Sequence, residues 1–235
     1  MSDDYPLGSF TGTPADALGP TVRETVIVAG KTFLLHRPDA VDRLLDHPAV
    51  QAAFGADEYM PYWADLWPAA RMLAKAIVRE PWPQTGGPLE ALEIGCGLGL
   101  PGVAALSCGL KVIFTDYDET ALRFAADNAR INGYENFETL RMDWRNPPDR
   151  QFPVLLGSDL IYEIRSVDPV INLIKRLLRP DGVCLLADGD RWPSTTFRER
   201  LAEEKFSVAT SVVHAGEPGG RRHKGTLYRI KLPAT

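Results

Sequence analysis

The sequence predicts a doubly wound α/β fold: a mainly parallel sheet covered by helices on both faces and closed by an antiparallel C-terminal hairpin. Three observations carry this prediction. Apolar runs of strand length alternate with helical patterns from Leu89 to Lys205, which is the signature of successive βαβ units. A glycine-rich turn joins the first of those runs to its helix. The last two apolar stretches have no helical pattern between them, so they should pair directly.

Residues 1–20 are rich in Gly, Pro, Ser and Thr, with too few apolar side chains to offset the entropy of ordering them, and read as a flexible tail or a lid. Residues 21–58 read as an N-terminal hairpin and helix. Two short strands, Thr25-Val26-Ile27-Val28 and Thr32-Phe33-Leu34-Leu35, meet across Ala29-Gly30-Lys31, and helical spacing over Asp39 to Phe54 is interrupted at Pro48. Residues 59–235 hold the main domain. Its first helix follows Pro68, with Met72, Leu73, Ala76 and Ile77 on one face, and stops at Pro81 and Pro83. Strands are then expected at Leu89 to Ile94, Lys111 to Thr115, Phe137 to Met142, Val154 to Ser158 and Val183 to Ala187. Helices are expected at Pro101 to Cys108, Glu119 to Asn132, Val167 to Leu178 and Ser194 to Lys205. Phe206 to Val213 and Thr226 to Leu232, flanking the Gly216 to Gly225 loop, form the terminal hairpin.

Composition narrows the function classes. The 235 residues are 45% hydrophobic and 24% charged, which is enough to bury one substantial core. The net charge of -5 disfavours a surface built to neutralise phosphates, so nucleic acid is not the expected partner. Cys96, Cys108 and Cys184 form no CxxC pair, and the four histidines show no metal-ligand spacing, so no metal is expected. The odd, scattered cysteines fit a reducing cytoplasmic setting. The N-terminus has no basic region followed by an apolar run, and no stretch approaches the roughly 18 apolar residues of a spanning helix, so membrane insertion is not expected either.

The segment Glu93-Ile94-Gly95-Cys96-Gly97-Leu98-Gly99 closes the first apolar run of the main domain, and Pro101 follows where a helix begins. Alternating glycines let a backbone turn tightly and approach a ligand, and the helix start offers free amides. Gly97, Gly99 and Gly102 also satisfy the spacing of dinucleotide binders, with Asp116 near the distance of a ribose-binding acid. The phase argues otherwise: the first glycine after the strand is Gly95, and counting from it puts Leu100 where a third glycine belongs. Glu93 has no use beside a pyrophosphate, but it suits a ligand ammonium. An acidic strand end points to a cationic ligand.

Glu93 to Gly99 resembles the E-x-G-x-G-x-G motif of the class I, seven-stranded, Rossmann-like S-adenosylmethionine-dependent methyltransferases. The terminal hairpin is similar to the antiparallel end of that fold. The resemblance implies that Gly95, Gly97 and Gly99 contact the methionyl part of the cofactor, and that Asp116 at the end of the second parallel strand binds the ribose hydroxyls. Tyr117 either stacks on the adenine or packs as a half-buried aromatic. Asp118, before the Glu119 helix, reads as its cap. Asp143-Trp144 after the third strand resembles the family's adenine-contacting pair; the alternative is a turn acid beside a packing tryptophan.

Ser158-Asp159-Leu160-Ile161-Tyr162 follows the fourth strand, and open α/β sheets bind ligands beyond such ends. The D-x-x-Y pattern resembles the methyltransferase-like protein-lysine methyltransferases, which implies acceptor-side roles for Asp159 and Tyr162. Pro61-Tyr62-Trp63-Ala64-Asp65-Leu66-Trp67-Pro68 is similar to the aromatic segment of the same group, particularly the enzyme acting on the electron transfer flavoprotein β-subunit. Trp67, with Tyr62 and Trp63, would then wall the cofactor pocket, or anchor the N-terminal elements. The resemblance implies S-adenosylmethionine as cofactor, S-adenosylhomocysteine as product, and a protein lysine as the favoured acceptor. A small-molecule acceptor, or a cofactor-binding protein without turnover, remains open. Arg221-Arg222-His223-Lys224 reads as a solvated basic loop tip.

Overall fold

The computed structural model describes residues 11–83, 86–216 and 221–233. Among them, β1 (Thr21–Val28) and β2 (Lys31–Pro38) form a separate antiparallel hairpin. The main sheet contains β3 (Glu90–Ile94), β4 (Lys111–Asp116), β5 (Phe137–Arg141), β6 (Phe152–Ser158), β7 (Leu178–Asp188), β8 (Ser207–Ala215) and β9 (His223–Lys231). Its order is β5-β4-β3-β6-β7-β9-β8, with β3 to β7 parallel and β9 antiparallel to both neighbours. The chain builds outward from β3 in one direction and then returns to build in the other. That reversal opens a crevice at the carboxyl ends of β3, β4 and β6.

Side chains alternate across the sheet and divide the core. Ala91 faces a layer made by α3 (Pro68–Arg79), α4 (Leu100–Leu106) and α5 (Glu119–Ile131), whereas Leu92 and Ile94 face α6 (Val167–Leu177) and α7 (Pro193–Glu203). Each fully buried Leu, Ile or Phe in these layers contributes about 1.5–3 kcal/mol. Pro68 starts α3 where its missing N–H is harmless, and Asp118 caps α5 by accepting from Thr120 N at 2.7 Å. The helical spacing around Pro48 is split as expected, into α1 (Asp42–Leu45) and α2 (Pro48–Asp57). Leu178 begins β7 and pairs with Phe152 rather than ending α6, because Pro180 holds the residue before it out of the helical region.

The β1–β2 turn is tighter than the sequence suggested. Val28 pairs with Lys31, leaving only Ala29 (φ 49°) and Gly30 (φ 85°) to reverse the chain, both left-handed as a two-residue hairpin of this hand requires. Val26, Val28, Phe33 and Leu35 are buried on one face of the hairpin. Its open edge is satisfied by a helix instead of a strand. Asn132 donates to Leu34 O at 2.7 Å and accepts from Leu34 N at 2.9 Å. Asn128 does the same for His36, at 3.1 and 2.6 Å, and donates to Leu98 O at 2.9 Å. Residues four apart on a helix are separated by about 6 Å along its axis, close to the repeat of two strand residues, so the amides match the strand's rhythm.

The reading of residues 1–20 as a flexible tail does not hold for 11–20; residues 1–10 lie outside the described part. Buried Thr13 donates to the Asp118 carboxylate from its N (3.0 Å) and from its Oγ1 (2.7 Å), and its carbonyl accepts from Thr120 Oγ1 at 2.7 Å. Ala17 packs with Leu44, Trp63, Leu98 and Phe124. Composition suggested a tail because little apolar surface is on offer; the segment is held by polar bonds instead. Of the predicted loop tip, His223 and Lys224 already belong to β9, and residues 217–220 lie outside the described part. No helix among the described residues is long and apolar enough to cross a membrane.

Candidate active site

A cavity of about 670 Å³ opens in the crevice, a size typical of small-molecule sites. Its floor is the turn after β3. Gly95, Gly97 and Gly99 all have positive φ, at 59°, 50° and 77°. Space is short as well: a Cβ at Gly99 would lie 2.8 Å from Ala125 Cβ, where none fits, and one at Gly95 or Gly97 would press to 3.0 Å from Leu160 or 3.2 Å from Trp63 O. The turn is therefore wedged between the aromatic segment and α5.

Asp116, at the end of β4, holds this turn while lining the cavity. Its Oδ2 accepts from Gly97 N at 2.9 Å and its Oδ1 from Asp118 N at 3.1 Å. Burial pushes its carboxyl up to about 6 against the opposing effect of those amides. Such a carboxylate gains from further donors, and a vicinal diol supplies two. Tyr117 lines the same cavity, with the Arg141 guanidinium 5.2 Å from its ring centroid.

Glu93 does not line the cavity, which corrects its expected contact with a ligand ammonium. Alternation along β3 turns it under the glycine turn, where Oε2 accepts from Gly102 N at 3.0 Å and Oε1 is buried without a partner among the described residues. Burial pushes its carboxyl well above the usual range, and the Gly102 amide only partly opposes this. The same contact weakens the dinucleotide alternative. A Cβ at Gly102 would lie 2.2 Å from Phe114 and 2.5 Å from Glu93, so this glycine serves packing beneath the turn, and its amide is already taken by a carboxylate.

Asp143 and Trp144 both line the cavity. Both Asp143 oxygens are occupied by Arg145, at 2.9 Å from Nε and 2.7 Å from Nη2. Burial raises this carboxyl, but the Arg145 bonds and charge outweigh it and leave Asp143 below the usual range. The Trp144 ring lies where a Cβ on Gly95 would meet it at 3.5 Å.

Other residues lining the cavity are aromatic or charged. Tyr62 stands edge-on to both Trp67 and Tyr162, with ring centroids 6.0 and 5.3 Å apart, and Trp67 Nε1 donates to Tyr62 O at 2.7 Å. Trp63 lines the cavity but also anchors the N-terminal segment, donating to Thr13 Oγ1 at 3.1 Å and packing on Phe124. The Tyr162 phenol is pushed up to about 12, by burial first and the Glu163 charge second. Asp159 sits beyond β6 with φ 58°, and its N donates to Ala187 O at 2.9 Å.

Sequence reasoning did not find the partner of Asp159. Arg191, in the β7–α7 connection, donates from Nη1 to Asp159 Oδ1 at 2.7 Å and from Nη2 to Oδ2 at 3.0 Å. Its guanidinium also lies 5.6 Å from the centroid of the Trp67 ring. The only hint was its place just past a parallel strand's carboxyl end, in Asp188-Gly189-Asp190-Arg191. Tyr59 was also missed; its hydroxyl donates to Asp118 beside the Thr13 bonds. At the rim, Arg165 bridges Glu58 and Glu163.

This sheet order with a glycine turn at its reversal point defines a class I S-adenosylmethionine-dependent methyltransferase fold. The magnesium protoporphyrin IX methyltransferase of Synechocystis PCC 6803, solved with bound S-adenosylmethionine, shares it at a TM-score of 0.55 and 16% identity, over 69% of this chain and 77% of that one. Residues 61–207 match the lysine methyltransferase family, and the chain belongs to that family. A histidine protein methyltransferase 1 homolog from Dictyostelium discoideum is 35% identical over 42% of this chain and 34% of its own length. The protein-lysine N-methyltransferase rrg1 of Schizosaccharomyces pombe is 28% identical over 70% of this chain and 58% of its own. The electron transfer flavoprotein beta subunit lysine methyltransferase of Xenopus laevis is 26% identical over 67% and 70%. The chain thus spans less than two thirds of the first two of these relatives.

The ligand that goes with this family and fold is S-adenosylmethionine, and the residues present fit it. Asp116 offers a half-buried carboxylate for the ribose, Tyr117 and Trp144 bring aromatic rings for a purine, and Gly95, Gly97 and Gly99 line the same cavity.

Proposed function

We propose that the protein transfers the methyl group of S-adenosylmethionine to a lysine nitrogen of a protein substrate. The observation that supports this most is that Asp159, Trp67, Tyr62 and Tyr162 border the same cavity as Asp116 and the glycine turn. One set of these residues suits a nucleoside; the other suits a long cationic side chain held among aromatic rings.

Asp116 would hold the ribose, with Gly95, Gly97 and Gly99 under the methionyl part and Asp143, Trp144 and Tyr117 around the adenine. Trp67 would wall the space between cofactor and acceptor. Bound S-adenosylmethionine supplies a methyl group on a sulfonium, already activated for transfer. The protein's task is alignment and exclusion of water. A lysine ammonium must first lose a proton, which at pH 7 costs roughly 4–5 kcal/mol from a reference value near 10.4. Asp159 raises a neighbouring ammonium's affinity for its proton, so it positions the nitrogen and does not act as the base. Tyr162 keeps its own proton at neutral pH and serves as a wall, and the lysine proton leaves through the open mouth to water. The buried, free thiols of Cys96 and Cys184 suit a reducing cytoplasm, where we place the protein.

Incubating the protein with radiolabelled S-adenosylmethionine and a proteome extract tests the reading. A labelled protein band that hydrolyses to methyllysine supports it; methylhistidine moves the acceptor, and a labelled small product makes the substrate a metabolite. Asp159→Asn should leave S-adenosylhomocysteine affinity within threefold while lowering transfer at least 10²-fold, about 2.7 kcal/mol of transition-state stabilisation. Parallel loss of cofactor binding would move Asp159 into the cofactor site.

A further inference from the structure

Asp159, the carboxylate assigned above to the acceptor, already holds a cation belonging to the chain itself. Arg191 makes a two-point pair with Asp159 against the Trp67 ring, and a carboxylate beside an aromatic face is the arrangement that recognises an alkylammonium or guanidinium. We propose that Arg191 is a latch on the acceptor site: it holds the place a substrate cation takes, and the substrate enters by displacing it. This rests on the lysine-directed reading given above.

The two partners differ in freedom. Asp159 is fixed: its backbone adopts φ 58°, its N–H extends the β6–β7 pairing to Ala187 O, and buried Leu160 and Ile161 follow it. Arg191 is the movable member. Its side chain is 36% exposed against 10% for Asp159, and its guanidinium has no other hydrogen-bond partner among the described residues. A partly exposed pair of this kind opens at modest cost.

The connection that carries Arg191 is nevertheless shaped. Asp188, fully buried at the end of β7, accepts from Ser194 Oγ at 2.7 Å and from Asp190 N at 3.0 Å. Asp190 is left-handed (φ 57°) and accepts from Thr226 Oγ1 at 3.0 Å. These bonds fix the backbone on the N-terminal side of Arg191 and at the start of α7, so its side chain returns to Asp159 when nothing else is there. A free amine must compete with this tethered guanidinium from dilute solution. A lysine held on a docked protein competes at the high effective concentration of an attached group. The latch therefore selects cations presented on a polypeptide over free amines. Were the pair instead permanent, Asp159 would stay neutralised and the site would suit an uncharged nitrogen.

Ligand-observed NMR titration of the full chain with n-butylammonium, with and without S-adenosylhomocysteine, decides between these. Arg191→Ala and Arg191→Gln should each bind the amine at least tenfold more tightly than wild type, and Asp159→Asn added to Arg191→Ala should abolish the gain. Binding that is unchanged or weaker in both single variants overturns the latch, as does a gain that survives Asp159→Asn. Failure of the methyltransferase reading shows separately, as wild-type protein that does not bind S-adenosylhomocysteine in calorimetry. The amine titration of the cofactor-free protein still decides the latch in that event.

Discussion

Lowering the pH from 7 to 5 should weaken S-adenosylhomocysteine binding about tenfold, through Asp116. Burial holds this carboxyl at about 6 in the free protein. Ribose hydroxyls donate to its ionised form, so binding below that value must first expel a proton. For a bound form that stays ionised, the weakening factor is one plus ten raised to the difference between pKa and pH, roughly 11 at pH 5 and 1.1 at pH 7. The ratio corresponds to about 1.4 kcal/mol. Folding of the free protein runs with the opposite sign. A carboxyl raised from near 3.9 to about 6 contributes stability that is full below the lower value and lost as pH rises through the upper one. The thermal shift produced by the ligand should accordingly grow between pH 5 and 7. Calorimetry at three pH values, in buffers of different ionisation enthalpy, reads both the affinity and the proton released. Asp116→Asn should bind at least tenfold more weakly at pH 7, for loss of charge-assisted bonds of roughly 1.5–3 kcal/mol each, and show a flat profile. A flat wild-type profile, or the wild-type slope persisting in Asp116→Asn, would refute the assignment.

Three further outcomes follow from buried polar contacts. Glu93→Gln keeps an acceptor for the Gly102 amide, so S-adenosylhomocysteine affinity should stay within threefold of wild type; a large loss would return Glu93 to the ligand. Tyr59→Phe removes the hydroxyl that serves both Asp118 and Thr13, and should cost about 1.5–3 kcal/mol in urea denaturation; an unchanged midpoint would mean the N-terminal segment is not held there. Asn128→Ala strips His36 and the Leu98 carbonyl of their partner, for about 2–4 kcal/mol, and should speed hydrogen exchange at the His36 amide ahead of global unfolding.

The elements were legible because their signals are local. Apolar runs, the Pro68 helix start, the Pro48 interruption and the Asp118 cap each lie within a few residues of what they determine. The position of Asp116 at the end of β4 followed from the same local pattern. What escaped the sequence spans distance: Thr13 meets Asp118 across 105 residues, and Arg191 meets Asp159 across 32. Nothing in either neighbourhood records the other. Glu93 was misplaced for a different reason. In β3 both faces are buried and apolar, so no alternation of polarity shows which way each side chain turns. Only the packing of Ala91 against one helical layer and of Leu92 and Ile94 against the other reveals that Glu93 points beneath the turn.

The side-chain amides that stand in for a strand along β2 also expose the fold to chemical ageing. Asn132 is followed by Gly133, the neighbour that least hinders attack of the next backbone nitrogen on the asparagine amide. That attack expels ammonia and closes a succinimide, and water then opens the ring to a carboxylate, which has no hydrogen for the carbonyls of Leu34 and Asn128. The hairpin edge would then be held by Asn128, the same side chain that grips the glycine turn at Leu98. Stored protein that has deamidated at this one position should loosen first at β2.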